Sequence, residues 1–168
     1  MPEKPKTLAL LFSSSVHGWK VKDWTDACKG KAMTITIMKT TKGRVCGGYL
    51  HIAWKETTVG EYGSDPSAFV FSLDSRLKLK PTYPKKAVWF NLGNGRGPYF
   101  RDSLAVCNYY TMNAPDNCEC STNGTGNDGY NVPTDFLGNS ILTGDGAGKP
   151  DYEKTFTLEA IETWSVIY

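Results

Sequence analysis

Met33-Thr34-Ile35-Thr36-Ile37-Met38 alternates apolar and hydroxyl side chains at period two, and after the turn-rich Thr40-Thr41-Lys42-Gly43-Arg44 a second run, Val45-Cys46-Gly47-Gly48-Tyr49, resumes an extended pattern. Two β-compatible runs joined by a short polar turn read as a β-hairpin. Working outward, Ala68–Leu73, Ala87–Asn91 and Leu104–Asn108 are further strand candidates separated by loops containing Gly and Pro. No long helical pattern intervenes, so antiparallel pairing is favoured over βαβ units, and a sandwich is the natural closure. Upstream, Leu8–Phe12 is an apolar run that fits a buried strand or the first turns of a helix. Val21–Lys29 predicts a short amphipathic helix: Trp24, Ala27 and Cys28 fall at helical spacing, Lys22 and Asp26 stand four apart, and Gly30 follows as a stop. At the other end, Thr157 is placed to cap a helical turn through Leu158–Ile161, and Thr163–Tyr168 reads as a closing strand.

The chain has 168 residues, with 40% apolar residues and 21% charged ones. That is the size of one ordinary domain with enough apolar surface to offset its ordering entropy, so one domain is expected over 1–168, with a core from about 8 to 166. The polar, turn-rich stretch 109–135 is expected to be a long loop, either functional or mobile. Net charge is +2, short of the basic excess of a dedicated nucleic-acid binder. The charge is uneven: residues 1–101 hold 17 basic and 7 acidic side chains, and residues 102–168 hold 2 and 10. In a compact domain such stretches interleave into a mixed surface. No apolar run has the roughly 18 residues of a membrane span, and Leu8–Phe12 is too short for a signal peptide. Five cysteines, an odd number, favour reduced thiols and a cytoplasmic location without membrane insertion.

The common reactive templates fail. Gly144–Lys149 resembles a phosphate loop, but Thr143 stands where the first Gly is required and Pro150 replaces the magnesium-binding hydroxyl. Cys118-Glu119-Cys120 lacks the two-residue gap of zinc knuckles, and His17 and His51 are distant, so neither a metal nor a cofactor is expected. No Gly-x-Ser-x-Gly or His-Glu-x-x-His occurs, and the Asp- and Asn-rich 116–135 stretch lacks calcium-loop spacing. Asn123-Gly124-Thr125 matches a glycosylation acceptor and reads as exposed loop. The five tryptophans, each among apolar neighbours, are expected in the core. No catalytic constellation emerges. Cys107, Cys118 and Cys120, in or beside the presumed exposed loop, are the candidate reactive thiols.

Several segments carry a further signal. Leu10-Leu11-Phe12-Ser13-Ser14-Ser15-Val16-His17-Gly18-Trp19, then Val45-Cys46-Gly47-Gly48-Tyr49 with Trp54 beyond it, then Ser64-Asp65-Pro66-Ser67-Ala68-Phe69-Val70-Phe71-Ser72-Leu73 resemble, in order, the TLDc domain found in oxidation-resistance proteins. Gly97-Pro98-Tyr99-Phe100 and Phe156–Val166, with Glu162, extend the match. The stretches 109–135 and 136–149 depart from the family pattern. The resemblance implies a mainly β, α+β fold of two antiparallel sheets packed as a β-sandwich with a few short helices, and no established catalytic residues. It marks Gly18, Gly47, Gly48, Trp54, Asp65, Pro66, Phe69, Phe71, Gly97, Pro98 and Glu162 as fold-determining. Locally, Gly47-Gly48 suits a bulge or a close backbone approach, and Ser64-Asp65-Pro66 suits a turn launching a buried strand.

The expected function is therefore that of a non-enzymatic interaction module. The partner implied by the resemblance is the vacuolar-type proton-pumping ATPase, with protection against oxidative stress as the biological outcome. The alternatives are a scaffolding subunit of a larger assembly and an oxidant-consuming thiol enzyme.

Overall fold

The hairpin supplies the two middle strands of one sheet of the fold. In the computed structural model, which describes residues 4–101, 104–106, 111–113, 118–119, 130 and 155–168, β2 (Thr34–Thr40) and β3 (Val45–Leu50) pair antiparallel around a turn. Gly43 supplies the left-handed residue of that turn, at φ +80°. Before the hairpin come β1 (Thr7–Ser13), α1 (Ser14–His17) and α2 (Val21–Cys28). After it come β4 (Glu61–Gly63), β5 (Phe69–Ser72), β6 (Leu77–Leu79), β7 (Val88–Phe90), β8 (Tyr99–Phe100), β9 (Leu104–Val106), β10 (Cys118–Glu119), β11 (Thr155–Phe156) and β12 (Leu158–Ile167). Two six-stranded antiparallel sheets result, in the orders β1-β12-β2-β3-β5-β6 and β11-β10-β9-β8-β7-β4. Their shared core includes Met38, Leu50 and Val70 from the first and Phe90, Phe100 and Leu104 from the second. The expected sandwich is the observed one, and Leu8–Phe12 resolves as strand.

The interior is unusual in what it buries. On β2 the threonines Thr34, Thr36 and Thr40 face inward and are buried, while Ile35 and Ile37 face outward and remain half-exposed. A buried hydroxyl is tolerated only when it is hydrogen-bonded, and two tryptophans provide the partners. Trp24 of α2 donates its Nε1–H to Thr163 Oγ1 at 2.9 Å, Thr163 shares a 3.0 Å bond with Thr36, and Trp54 donates to Thr34 Oγ1 at 2.8 Å. The two indoles meet edge to face at 5.1 Å. Buried Trp needs a polar partner for its N–H, so indole and hydroxyl satisfy each other across the layers.

Three expectations are corrected. Leu158–Ile161 is not a helical turn: it opens β12, a ten-residue strand paired to β1 on one side and β2 on the other, with a register shift between Leu158 and Ala160. A helix there would strip ladder partners from a central strand, and tertiary pairing overrides local propensity. The stretch 109–135 is not uniformly surface loop. Among its described residues Thr111 bridges Lys20, Met112 is fully buried with its N–H on Trp19 O at 2.8 Å, Cys118 lies in β10, and buried Tyr130 donates its hydroxyl to Ala87 O at 2.9 Å. Among the described residues of this stretch, Met112, Cys118 and Tyr130 are drawn into the core. Lastly, only Trp24 and Trp54 are core tryptophans; Trp19, Trp89 and Trp164 are half-buried.

Candidate functional site

The motif residues sit where backbone and core meet. Asp65 is buried, and its Oδ2 accepts the His51 N–H at 2.6 Å and the Ile52 N–H at 3.3 Å, while Oδ1 accepts the Ser67 N–H at 2.9 Å. One carboxylate thus ties the end of β3 to the turn that starts β5, with Pro66 exposed at the tip. Gly48 lies under the Phe100 ring, which would stand 2.5 Å from an added Cβ, and at Gly47 an added Cβ would collide with Thr36 O and with Phe71. The register of β3 with β2 and β5 is unbroken across both glycines, so the geometry is a close approach and not a bulge.

The others serve neighbouring contacts. Trp54 meets Phe90 and Phe100 edge to face. Phe69 stacks on Tyr49 at 5.1 Å, and Phe71 lies over Gly47. Gly97 and Pro98 are buried against Val106, exchanging backbone bonds of 3.1 and 2.9 Å with it. Glu162 accepts from Trp164 Nε1 at 3.0 Å and from Ser13 Oγ at 3.4 Å. Gly18 takes φ +83° after α1.

The described thiols, Cys28, Cys46 and Cys118, are enclosed. Cys118, expected in an exposed loop, is fully buried, with its thiol directed at Met112 O at 3.7 Å. That corrects its reading as a reactive thiol, because a nucleophilic or redox thiol needs access and a stabilised thiolate. Cys107 and Cys120 lie outside the described residues, as do Asn123–Thr125 and Gly144–Lys149. Burial pushes the Cys28 thiol up to about 12, against a smaller opposing pull from its hydrogen bond to Thr163. Among the described residues no three His, Cys, Asp or Glu side chains cluster as a metal site, and no helix is long and apolar enough to cross a membrane.

A cationic and aromatic face lies on the second sheet, and sequence reasoning missed it. Tyr62 of β4 stands opposite Trp89 of β7, their rings 4.4 Å apart. The Arg101 guanidinium sits 4.4 Å from the Tyr62 ring centroid and Lys86 Nζ 4.9 Å from it, while Lys86 also reaches Tyr83 at 5.9 Å and Arg96 reaches Tyr99 at 5.8 Å. Trp89 lies on Gly60, where an added Cβ would stand 2.0 Å from the indole. Tyr62 and Tyr83 are each 43% exposed. Such contacts contribute roughly 0.5–2 kcal/mol each, and they hold the cations at fixed positions over rings. Fixed guanidinium and ammonium groups recognise carboxylates or phosphates. The legible signal was Lys85-Lys86 spaced before Trp89, with Tyr83 beside it; the pairing with Tyr62 and Arg101 needed the fold.

A family model described as the TLDc domain matches residues 1–167. The "MTOR-associated protein MEAK7" of Danio rerio is 27% identical over 70 residues, which cover 42% of this chain and 15% of that protein.

Proposed function

Because the chain belongs to the TLDc domain family, we propose that it is a non-enzymatic protein-interaction module. Its partner in this reading is the vacuolar-type proton-pumping ATPase, which it engages on the cytoplasmic side and regulates, with oxidative-stress protection as the consequence. The observation that carries the reading is the cation-aromatic face of Tyr62, Lys86 and Trp89, beneath which the Arg101 guanidinium is buried against the Tyr62 ring. Charge on such a face sets association rate and partner choice. The test is retention of pump subunits, detected by antibody, on the immobilised protein from a cytosolic extract. Lys86→Glu is expected to lower retention at least tenfold at low salt. Absence of every pump subunit from the wild-type eluate would remove the partner from the reading. The match to MEAK7 favours a second candidate, the MTOR assembly that protein is named for, and the same eluates probed for MTOR decide between them.

A further inference from the structure

The outward side of the first sheet carries a row of apolar side chains. The strand registers align Leu10, Trp164, Ile35, Tyr49 and Phe69 into one cross-strand row over β1, β12, β2, β3 and β5. Ile37 and Phe71 stand in the next row, with Gly47 between them, and Leu8 pairs with Val166 beyond Trp164. Antiparallel partners share a side of the sheet, so all of these project away from the core. Leu8 is 49% exposed and Leu10 42%, Trp164, Ile35, Ile37 and Phe69 are half-exposed, and Tyr49, Phe71 and Val166 are buried. With strands about 4.8 Å apart, the row is roughly 19 Å long. A contiguous apolar surface of this extent marks an interaction site.

Its charged surroundings specify the occupant. At the β6 end Lys78 holds its ammonium 4.0 Å over the Phe69 ring, and Lys80 follows two residues on. At the β1 edge Lys6, exposed, shares by alternation the side of Leu8 and Leu10. Lys22, Lys29, Lys39 and Lys55 each reach a carboxylate, whereas among the described residues Lys6, Lys78 and Lys80 have no ion-pair partner. Of the acids of β12, Glu162 is engaged by Trp164 and Ser13, and Glu159 by Lys39. Either orientation of a second copy over the row would set lysine against lysine.

We propose that this face docks an amphipathic α-helix of a partner protein, with an apolar stripe of about 13 residues matching the row at ~1.5 Å per residue and acidic side chains at both ends of the stripe. The inference deepens the interaction-module reading and does not depend on which partner that reading names. A helix suits the face because a sheet buries an apolar side against a helical layer, and acidic flanks complete the unpaired lysines.

The experiment uses the full chain and two synthetic helical peptides of identical leucine stripe, one flanked by glutamates and one by lysines, titrated by fluorescence anisotropy. Vesicles of phosphatidylserine and phosphatidylcholine form the third arm. The glutamate peptide is expected to bind at least tenfold more tightly than the lysine peptide. Lys78→Glu, at an exposed position away from the core, is expected to shrink or reverse that preference, and Leu10→Glu to weaken the glutamate peptide fivefold or more while the thermal midpoint stays unchanged. Equal binding of the two peptides, binding of neither, or association with vesicles alone would overturn the proposal. Pump subunits take no part in this titration, so its failure and the failure of the pump reading are separately visible.

Discussion

Asp65→Ala tests whether one buried carboxylate holds the β3 exit to the β5 entry. Its two short bonds, at 2.6 Å from His51 N–H and 2.9 Å from Ser67 N–H, are charge-assisted, and the 3.3 Å bond from Ile52 N–H is weaker. A hydrogen bond to a charged group contributes about 1.5–3 kcal/mol, and leaving a buried N–H without its partner costs about 1–3 kcal/mol. Relief of the buried charge returns part of that, which leaves a net loss of about 3 kcal/mol. At roughly 2–4 °C per kcal/mol for a chain of this size, the melting temperature falls by about 6–12 °C. Asp65→Asn retains one acceptor oxygen but turns an amide toward the remaining donors, so its loss is about 2 kcal/mol. Urea unfolding followed by Trp fluorescence measures both. If the alanine variant lies within about 0.5 kcal/mol of the wild type, the range of an ordinary surface change, the carboxylate does not hold this junction and the reasoning fails.

Four further outcomes follow from the same geometry. Gly48→Ala, whose new methyl would stand 2.5–2.7 Å from Phe100 ring atoms, costs about 1–3 kcal/mol by overpacking, and Phe100→Leu in the same chain recovers part of it; strict additivity in the double-mutant cycle argues against the contact. Thr163→Val removes the acceptor of the Trp24 N–H and costs about 1–3 kcal/mol, seen as a lower urea midpoint with an unchanged slope; an unaltered midpoint contradicts it. Burial raises both Cys28, to about 12, and Tyr130, where the Asp65 charge adds to it; the folded state therefore keeps protons that the unfolded chain has released. Stability is full below the ordinary thiol and phenol range and falls as pH rises from about 9 toward 12, by at most about 1.4 kcal/mol per pH unit for each group, so flat stability between pH 8.5 and 11 would refute it. Cys118 in the native protein resists iodoacetamide at pH 8 and is alkylated after unfolding in urea, as peptide mass spectrometry would read; rapid native labelling would reverse the burial argument.

The hairpin was legible because alternation at period two directly reports a strand, and the Thr40–Arg44 turn residues report its reversal. Leu158–Ile161 was not, since Leu, Glu and Ala suit a helix locally and only the two flanking ladders make them strand. The glycines illustrate the same divide. Gly47-Gly48 announced a close approach, but not which ring would fill it, and Phe100 lies more than fifty residues downstream on the opposite sheet. The cation-aromatic face was hidden for a related reason: Tyr62, Lys86 and Arg101 are brought together by pairing of β4 with β7 and of β7 with β8, and no local spacing carries that information.

Alternation also leaves the direction of the faces open. Thr-Ile-Thr-Ile invites the reading that isoleucine points to the core and threonine to water, and the structure has the reverse. The inversion is stable because Trp54, from the segment after β3, donates to Thr34, and Thr36 bonds Thr163 of β12, which also accepts from Trp24 of α2, making the polar side of the strand the one that can be buried at low cost. Shifting β2 by one residue would bring Ile35 and Ile37 inward, but it would leave the Trp54 N–H without its Thr34 acceptor, break the bond between Thr36 and Thr163, and flip every other side chain of the strand. The same bonds that fix the register of the core therefore keep Ile35 and Ile37 outside, beside Trp164, Tyr49 and Phe69. The apolar outer face is thus not a residue of poor packing: it is held outward by the hydrogen bonds that define the interior, and its apolar character is available to a partner.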